Sequence, residues 1–230
     1  MKRIPITGVS RGIGRAIAQK LASKETSLLL HGRDRKALEE ACRAVEAVGS
    51  ACQVLAFDLR EPSQIAALVK KVGAEPLDAL INNAGIAAVK PLEEISLEEW
   101  QAMLAINVTA PFLLTKAFAA TMQPGASIVN VLSIAAKTGF PNWSSYCMTK
   151  FALEGFSQAV REELRARGIR VINLYPAATN TNIWKGVEGD WPRDKMMLPS
   201  EIGDAVAFAL SRPPEVAIEN IDLMNLTGRL

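Results

Sequence analysis

Short apolar runs alternate along the chain with longer stretches whose apolar residues recur at helical spacing. The runs are Arg3–Thr7, Ser27–His31, Ala51–Phe57, Asp78–Asn82, Ser127–Leu132, Arg170–Leu174 and Val216–Met224. Between most of them lie amphipathic stretches: Gly14–Ser23, Arg35–Val48, Ser63–Val72, Leu97–Met122, Ser145–Arg167 and Pro199–Leu210. Strands buried on both faces read as unbroken apolar runs, and strand–helix alternation calls for crossover units. The pattern predicts an α/β fold, one doubly wound parallel sheet of about seven strands with helices on both faces. Ser96-Leu97-Glu98-Glu99 carries a capping serine with an acid three residues on. Pro199-Ser200-Glu201 offers Ser200 as a second cap. Pro5 falls inside the first strand, where its missing N–H leaves either an irregular strand or a carbonyl satisfied by water.

Neither repeats nor a Pro/Gly/Ser linker divides the 230 residues, so a single domain over 1–230 is expected. Hydrophobic residues make up 49% and charged residues 22%, with a net charge of +2 and no long run of one sign. That balance gives no electrostatic case for nucleic acid or an anionic membrane. No apolar stretch reaches the ~18–20 residues of a membrane helix, and the start of the chain leaves no room for a signal peptide. Cys42, Cys52 and Cys147 match no zinc spacing and cannot all pair within one chain. They read as reduced thiols, so a cytoplasmic location and no metal are expected.

After the first run comes Thr7-Gly8-Val9-Ser10-Arg11-Gly12-Ile13-Gly14, opening a helix. Glycines let a backbone turn sharply and approach a pyrophosphate, while the helix N-terminus offers free N–H groups. At the first strand–helix junction of an alternating chain, this is a dinucleotide-binding signal. The second run ends His31-Gly32-Arg33, with glycine where an acid would otherwise bind the ribose 2′-hydroxyl. Arg33 and Arg11 suit a 2′-phosphate, which favours NADP(H) over NAD. Asp34 could instead pair with Arg33 or contact the ribose.

Tyr146 and Lys150 lie four residues apart at the head of a predicted helix, hence on one face. Lowering a phenol by about three pKa units takes ~4 kcal/mol. A unit charge about 4 Å away at an effective dielectric of ~20 is worth that order. Lys150 is therefore expected to make Tyr146 a usable proton donor.

Thr7-Gly8-x-x-x-Gly12-x-Gly14, Asn82-Asn83-Ala84-Gly85, Ser133 thirteen residues before Tyr146, and Lys150 stand in one order over essentially the whole chain. Together they resemble the classical short-chain dehydrogenases/reductases. The resemblance implies a Rossmann-type fold, a nicotinamide cofactor, and chemistry at a carbonyl or alcohol carbon. Tyr146 would be the acid/base, Lys150 its activator and a ribose ligand, Ser133 the partner of the substrate oxygen, and Asn107 the holder of a relay water. Cofactor contacts would come from Gly8, Ser10, Arg11, Gly12, Ile13 and Gly14, from Arg33, from Asp58 and Leu59, and from Asn83, Ala84 and Gly85. Tyr146 and Lys150 would join them, with Pro176, Thr179 and Thr181 in a segment resembling the family's PGxVxT. There Ala177 replaces the glycine and Thr179 the aliphatic residue. Asp58 would touch the adenine or cap its own loop. The C-terminus lacks the family's Gly-Gly tail. A homodimer or homotetramer is implied.

Phe140, Pro141, Trp143, Ile183, Trp184, Trp191, Met196 and Met197 fall in the two loops expected to wall the substrate, with 182–198 as a lid. Three of the four tryptophans fall in these loops, which suits an apolar or aromatic substrate, lid packing or an oligomer interface. The sequence points to NADPH-dependent reduction of a small-molecule ketone or aldehyde. It leaves open a non-catalytic NADP-binding regulator and an NAD-dependent alcohol dehydrogenase.

Overall fold

In the computed structural model the alternation winds into a seven-stranded sheet of order β3-β2-β1-β4-β5-β6-β7, every paired strand parallel. The structure describes residues 1–187, 191–226 and 228. The strands are β1 (Lys2–Ile6), β2 (Thr26–Gly32), β3 (Ala51–Ala56), β4 (Ala79–Asn82), β5 (Ser127–Val131), β6 (Arg170–Pro176) and β7 (Asn220–Leu223). The helices are α1 (Gly12–Leu21), α2 (Arg35–Glu46), α3 (Pro62–Val72), α4 (Leu97–Leu104), α5 (Ala110–Ala119), α6 (Ser144–Arg165) and α7 (Pro199–Leu210). Leu28 and Leu30 enter a core shared with Ile17, Leu38, Ile202 and Val206 of α1, α2 and α7. Leu29 enters the opposite core, with Ile65, Leu114, Phe118 and Leu164 of α3, α5 and α6. Each face needs its own apolar set, so the strands carry no polar alternation.

Chain order reverses between β1 and β4, which opens a crevice at the carboxyl ends of these strands. Pro5 leaves β1 regular, its register with β2 running unbroken through Pro5↔Leu29. The N–H groups of Arg3 and Thr7 point towards β4, bonding Asp78 Oδ2 at 2.7 Å and the Ile81 carbonyl at 3.0 Å. By strand alternation the proline nitrogen faces the same way. The missing donor thus falls on the side where β1 pairs only at Ile6↔Ile81.

Several expectations are corrected. Cys42 of α2 and Cys52 of β3 form a disulfide, with Cα atoms 5.7 Å apart, because α2 packs directly on β3. Only Cys147 is a free thiol, so the argument for a reducing compartment falls away. Leu97–Ala119 is a helix long and apolar enough to cross a membrane by composition, with a mean hydropathy of 1.5. Half of that stretch is buried in the protein, where Met103, Leu114 and Phe118 are core residues. The capping box of Ser96 and Glu99 forms as expected. At α7 the cap is Leu198, not Ser200: Pro199 takes the first helical position and Glu201 accepts the Leu198 N–H at 2.8 Å. β7 is shorter than the Val216–Met224 run because a turn from Pro213 to Val216 precedes it.

Candidate active site

The turn between β1 and α1 closes against the segment that follows β4. Gly8 and Gly12 have φ of 74° and 60°, a region that glycine enters without strain. A Cβ at Gly8 would lie 2.9 Å from the Ala84 Cα, and one at Gly14 would lie 2.3 Å from the Gly8 carbonyl oxygen. Thr7 Oγ1 accepts the N–H groups of Asn83 and Ala84, both at 2.9 Å, while Asn83 Nδ2 donates to the Thr7 carbonyl at 2.7 Å. At Gly32 a Cβ would meet the Ser10 hydroxyl at 2.4 Å, so the glycine leaves that side chain its place.

These segments border a cleft of about 650 Å³. Gly8, Ser10, Arg11, Gly12, Ile13, Arg33, Asp58, Leu59, Asn83, Ala84, Gly85 and Thr181 line it. Gly14 stands behind the turn and lets it close. Pro176 and Thr179 are buried and do not line the cleft; Thr179 Oγ1 donates instead to the Ala177 carbonyl at 3.0 Å. Asp34 accepts the Ala37 N–H at 3.1 Å and so caps α2. Among the described residues neither Arg11 nor Arg33 has a hydrogen-bond or ion-pair partner, and both are exposed beside the cleft. Asp58 is engaged by Arg60, whose Nη2 donates at 2.5 Å, and this contact holds its carboxyl below the usual range. It caps its own loop and also lines the cleft. The glycine cradle, the open wall and the two guanidinium groups fit a phosphorylated dinucleotide.

At the head of α6, Tyr146 stands beside the Ser133 hydroxyl, and Ser133 Oγ accepts the Ala135 N–H at 3.1 Å. Ser133 stands at the carboxyl end of β5, one strand from the point where chain order reverses. Lys150 lies one turn along α6, its Nζ 5.6 Å from the Tyr146 ring centre and donating to the Val131 carbonyl at 3.0 Å. Tyr146 is 8% exposed and Lys150 4%. Burial pushes the phenol up to about 12, opposed by the neighbouring Ser133 hydroxyl, and pulls the ammonium down to about 8. The expected lowering of Tyr146 by Lys150 is therefore reversed: both groups are dry, and desolvation penalises each charged form.

Asn107 sits in a wide π-turn, Ala105–Thr109, between α4 and α5. Pro111, four residues on, has no N–H to give the Asn107 carbonyl, which is why the α-helical ladder breaks here. The Asn107 amide donates to the Ile86 carbonyl at 2.9 Å and to Thr149 Oγ1 at 3.0 Å, and accepts the Ile86 N–H at 2.9 Å. It fastens the segment after β4 to the helix carrying Tyr146 and Lys150, with both amide hydrogens committed and one acceptor site left on Oδ1.

The second loop is only partly a pocket wall. Trp143 meets Tyr146 edge-on at 5.5 Å, Trp184 at 5.8 Å and Trp191 at 6.4 Å. Phe140 packs beside Trp143 and Tyr146. Met197 belongs instead to the central core, and Met196 is buried. Part of the expected lid, residues 188–190, lies outside the described residues. Sequence reasoning missed Ile86, Ala87, Ile106 and Lys185, which line the cleft, and Thr149, which anchors Asn107. Thr149 lies inside the Tyr146–Lys150 spacing, one turn from Tyr146, a position that could have flagged it. The others are single residues without a pattern.

A family model described as short chain dehydrogenase matches residues 2–190. The chain is 32% identical over 219 residues to D-threitol dehydrogenase of Mycolicibacterium smegmatis, covering 90% of this chain and 84% of that protein. The alcohol dehydrogenase of Thermococcus sibiricus complexed with 5-hydroxy-NADP superposes with a TM-score of 0.91 at 29% identity, covering 100% of this chain and 99% of the other. An angucycline C-6 ketoreductase with bound NADP gives 0.86 at 28% identity, covering 96% and 93%.

Proposed function

The chain belongs to the short-chain dehydrogenase/reductase family of NAD(P)-dependent oxidoreductases, and from that premise we propose that it reduces a ketone or aldehyde to the alcohol with NADPH. One observation carries the reading: Tyr146 stands beside Ser133 and the buried Lys150, packed against Ile86 and Ala87 of the glycine-lined cleft.

The cofactor, held by the glycine turn and by Arg11 and Arg33, supplies the hydride when bound. The chain's own groups supply the rest. A phenol near 12 is fully protonated at neutral pH and stands ready as an acid. Ser133 and Tyr146 together offer two hydroxyls to one carbonyl oxygen, Ser133 orienting it and Tyr146 delivering the proton. The phenolate left behind faces the Lys150 charge. The attraction between the two opposite charges offsets part of what burial costs each of them. Lys150, drawn towards neutrality by burial, gains a reason to keep its proton at that moment.

NADP(H) is favoured by Gly32 and the two arginines, and by the NADP ligands named for the two solved relatives. The exposed Phe112 of α5 and Phe151 of α6, on helices that also carry the site, support a homodimer or homotetramer through that face. Ketones and aldehydes of graded size, followed by NADPH absorbance, test the proposal. Carbonyl-dependent oxidation of NADPH is the expected result. Tight NADPH binding without turnover of any carbonyl would make the protein a regulator instead.

A further inference from the structure

Beside the reacting hydroxyl the chain gathers indoles. Trp143, just ahead of α6, is presented by Asn142, a non-glycine residue with φ of 65°, in the left-handed region. Its loop is pinned from two directions: the Trp143 N–H donates to the Phe140 carbonyl at 3.1 Å, and the Lys90 N–H to the Asn142 carbonyl at 2.9 Å. Backbone strain of this kind persists only where surrounding contacts over-determine it. Here it aims one indole at Tyr146.

Trp184 and Trp191 approach the same indole from the segment after β6, their own rings 4.8 Å apart. Trp184 is fixed by its Nε1–H, which donates to the Thr179 carbonyl at 2.8 Å. The base of that segment is clamped by Arg193, whose Nε and Nη2 donate to Asn180 Oδ1 at 2.9 and 2.6 Å. The remaining apolar neighbours of Tyr146 in this cluster are Met103, Ala135, Cys147, Ile86, Ala87, Ala88 and Phe140.

We propose that the carbonyl substrate is a planar aromatic ketone whose ring is seated against the cluster of Trp143, Trp184 and Trp191 while its oxygen meets Tyr146 and Ser133. The inference rests on the reductase reading above and adds the substrate class. Indole faces and edges pair with an aromatic ring through its quadrupole as well as by area, which a saturated ring of the same outline cannot match. Fixed indoles also spend little rotamer freedom on binding.

The probes are 2-tetralone and 2-decalone, which share a two-ring skeleton and an unconjugated carbonyl but differ in one ring's aromaticity. Calorimetric titration of the enzyme saturated with NADP+ gives affinities without turnover, and NADPH absorbance gives kcat/KM. Tetralone is expected to bind at least tenfold more tightly than decalone, with kcat/KM in the same order. Trp143→Leu should bring the affinity ratio close to one and Trp143→Phe should restore most of it; Trp184→Leu gives a second, independent loss. Equal affinities in the wild type, or no binding of either ketone, would overturn the inference. Tight tetralone binding with no turnover would leave the aromatic seat standing and remove the reductase reading.

Discussion

At the end of β2 three adjacent residues divide the work of the nucleotide corner. All three line the cleft: Gly32 makes room for Ser10, Asp34 caps α2, and Arg33 joins Arg11 as a second guanidinium there. Replacing Arg33 with aspartate puts a negative charge where a phosphate dianion is proposed to sit. The Arg33→Asp variant should weaken NADPH binding by about 10-fold or more, the order of a lost charge-assisted pair, and improve NADH. Equilibrium titration of both cofactors checks this, and an unchanged affinity ratio would contradict it. His31, one residue before Gly32, is 3% exposed, and burial pulls its imidazole from 6.5 down to about 4. The fold holds the neutral ring, so the stability that depends on it is complete above pH 6.5. It is lost as the pH falls from 6.5 towards 4. A shift of that size corresponds to on the order of 3 kcal/mol. Urea unfolding between pH 7 and 4 should show this slope, and His31→Gln should flatten it. The Arg33 corner and the Tyr146–Lys150 spacing were legible because each is a local pattern with a chemical reason. The burial that reverses the Tyr146 shift was not, since it is created by residues distant in sequence.

Elements were legible where periodicity ran unbroken and obscure where one residue altered the hydrogen-bond ladder. All seven strands and the main helices fall on the predicted runs, but the long Leu97–Met122 stretch is in fact α4, a π-turn and α5. Pro111 is the cause, and its effect appears four residues earlier, at Asn107. The C-terminal run likewise shrinks to β7 because a proline-led turn consumes its first residues. Pairing of Cys42 with Cys52 needed the docking of α2 onto β3, which no spacing rule conveys. The bond makes a simple prediction. Unfolded without reductant, the chain should react with one equivalent of a thiol reagent, at Cys147, and after reduction with three. Three equivalents before reduction would mean that the α2–β3 link is open.

On the scale of the molecule, parallel strands wound both ways about β1 and β4 generate a crevice, and the two candidate halves of the site meet there. The glycine turn arrives with β1, the ribose corner with β2, Ser133 with β5 and the acid–lysine pair with α6. This convergence was expected from motif order alone. The cross-links that hold it were not: Thr7 to Asn83 and Ala84, and Asn107 to Ile86 and Thr149, join segments 21 to 77 residues apart. The aromatic cluster of Trp143, Trp184 and Trp191 also exists only once α6 and the segment after β6 are brought together. The account stands or falls on proton delivery by Tyr146 beside Lys150 during hydride transfer to a carbonyl. The most direct measurement is turnover of a ketone with NADPH deuterated at the transferring carbon. The account predicts deuterium on the carbinol carbon of the product, and a kcat lower by roughly 10²–10⁴-fold in Tyr146→Phe. Label that never reaches the product, or a Tyr146→Phe enzyme as fast as the wild type, would contradict it.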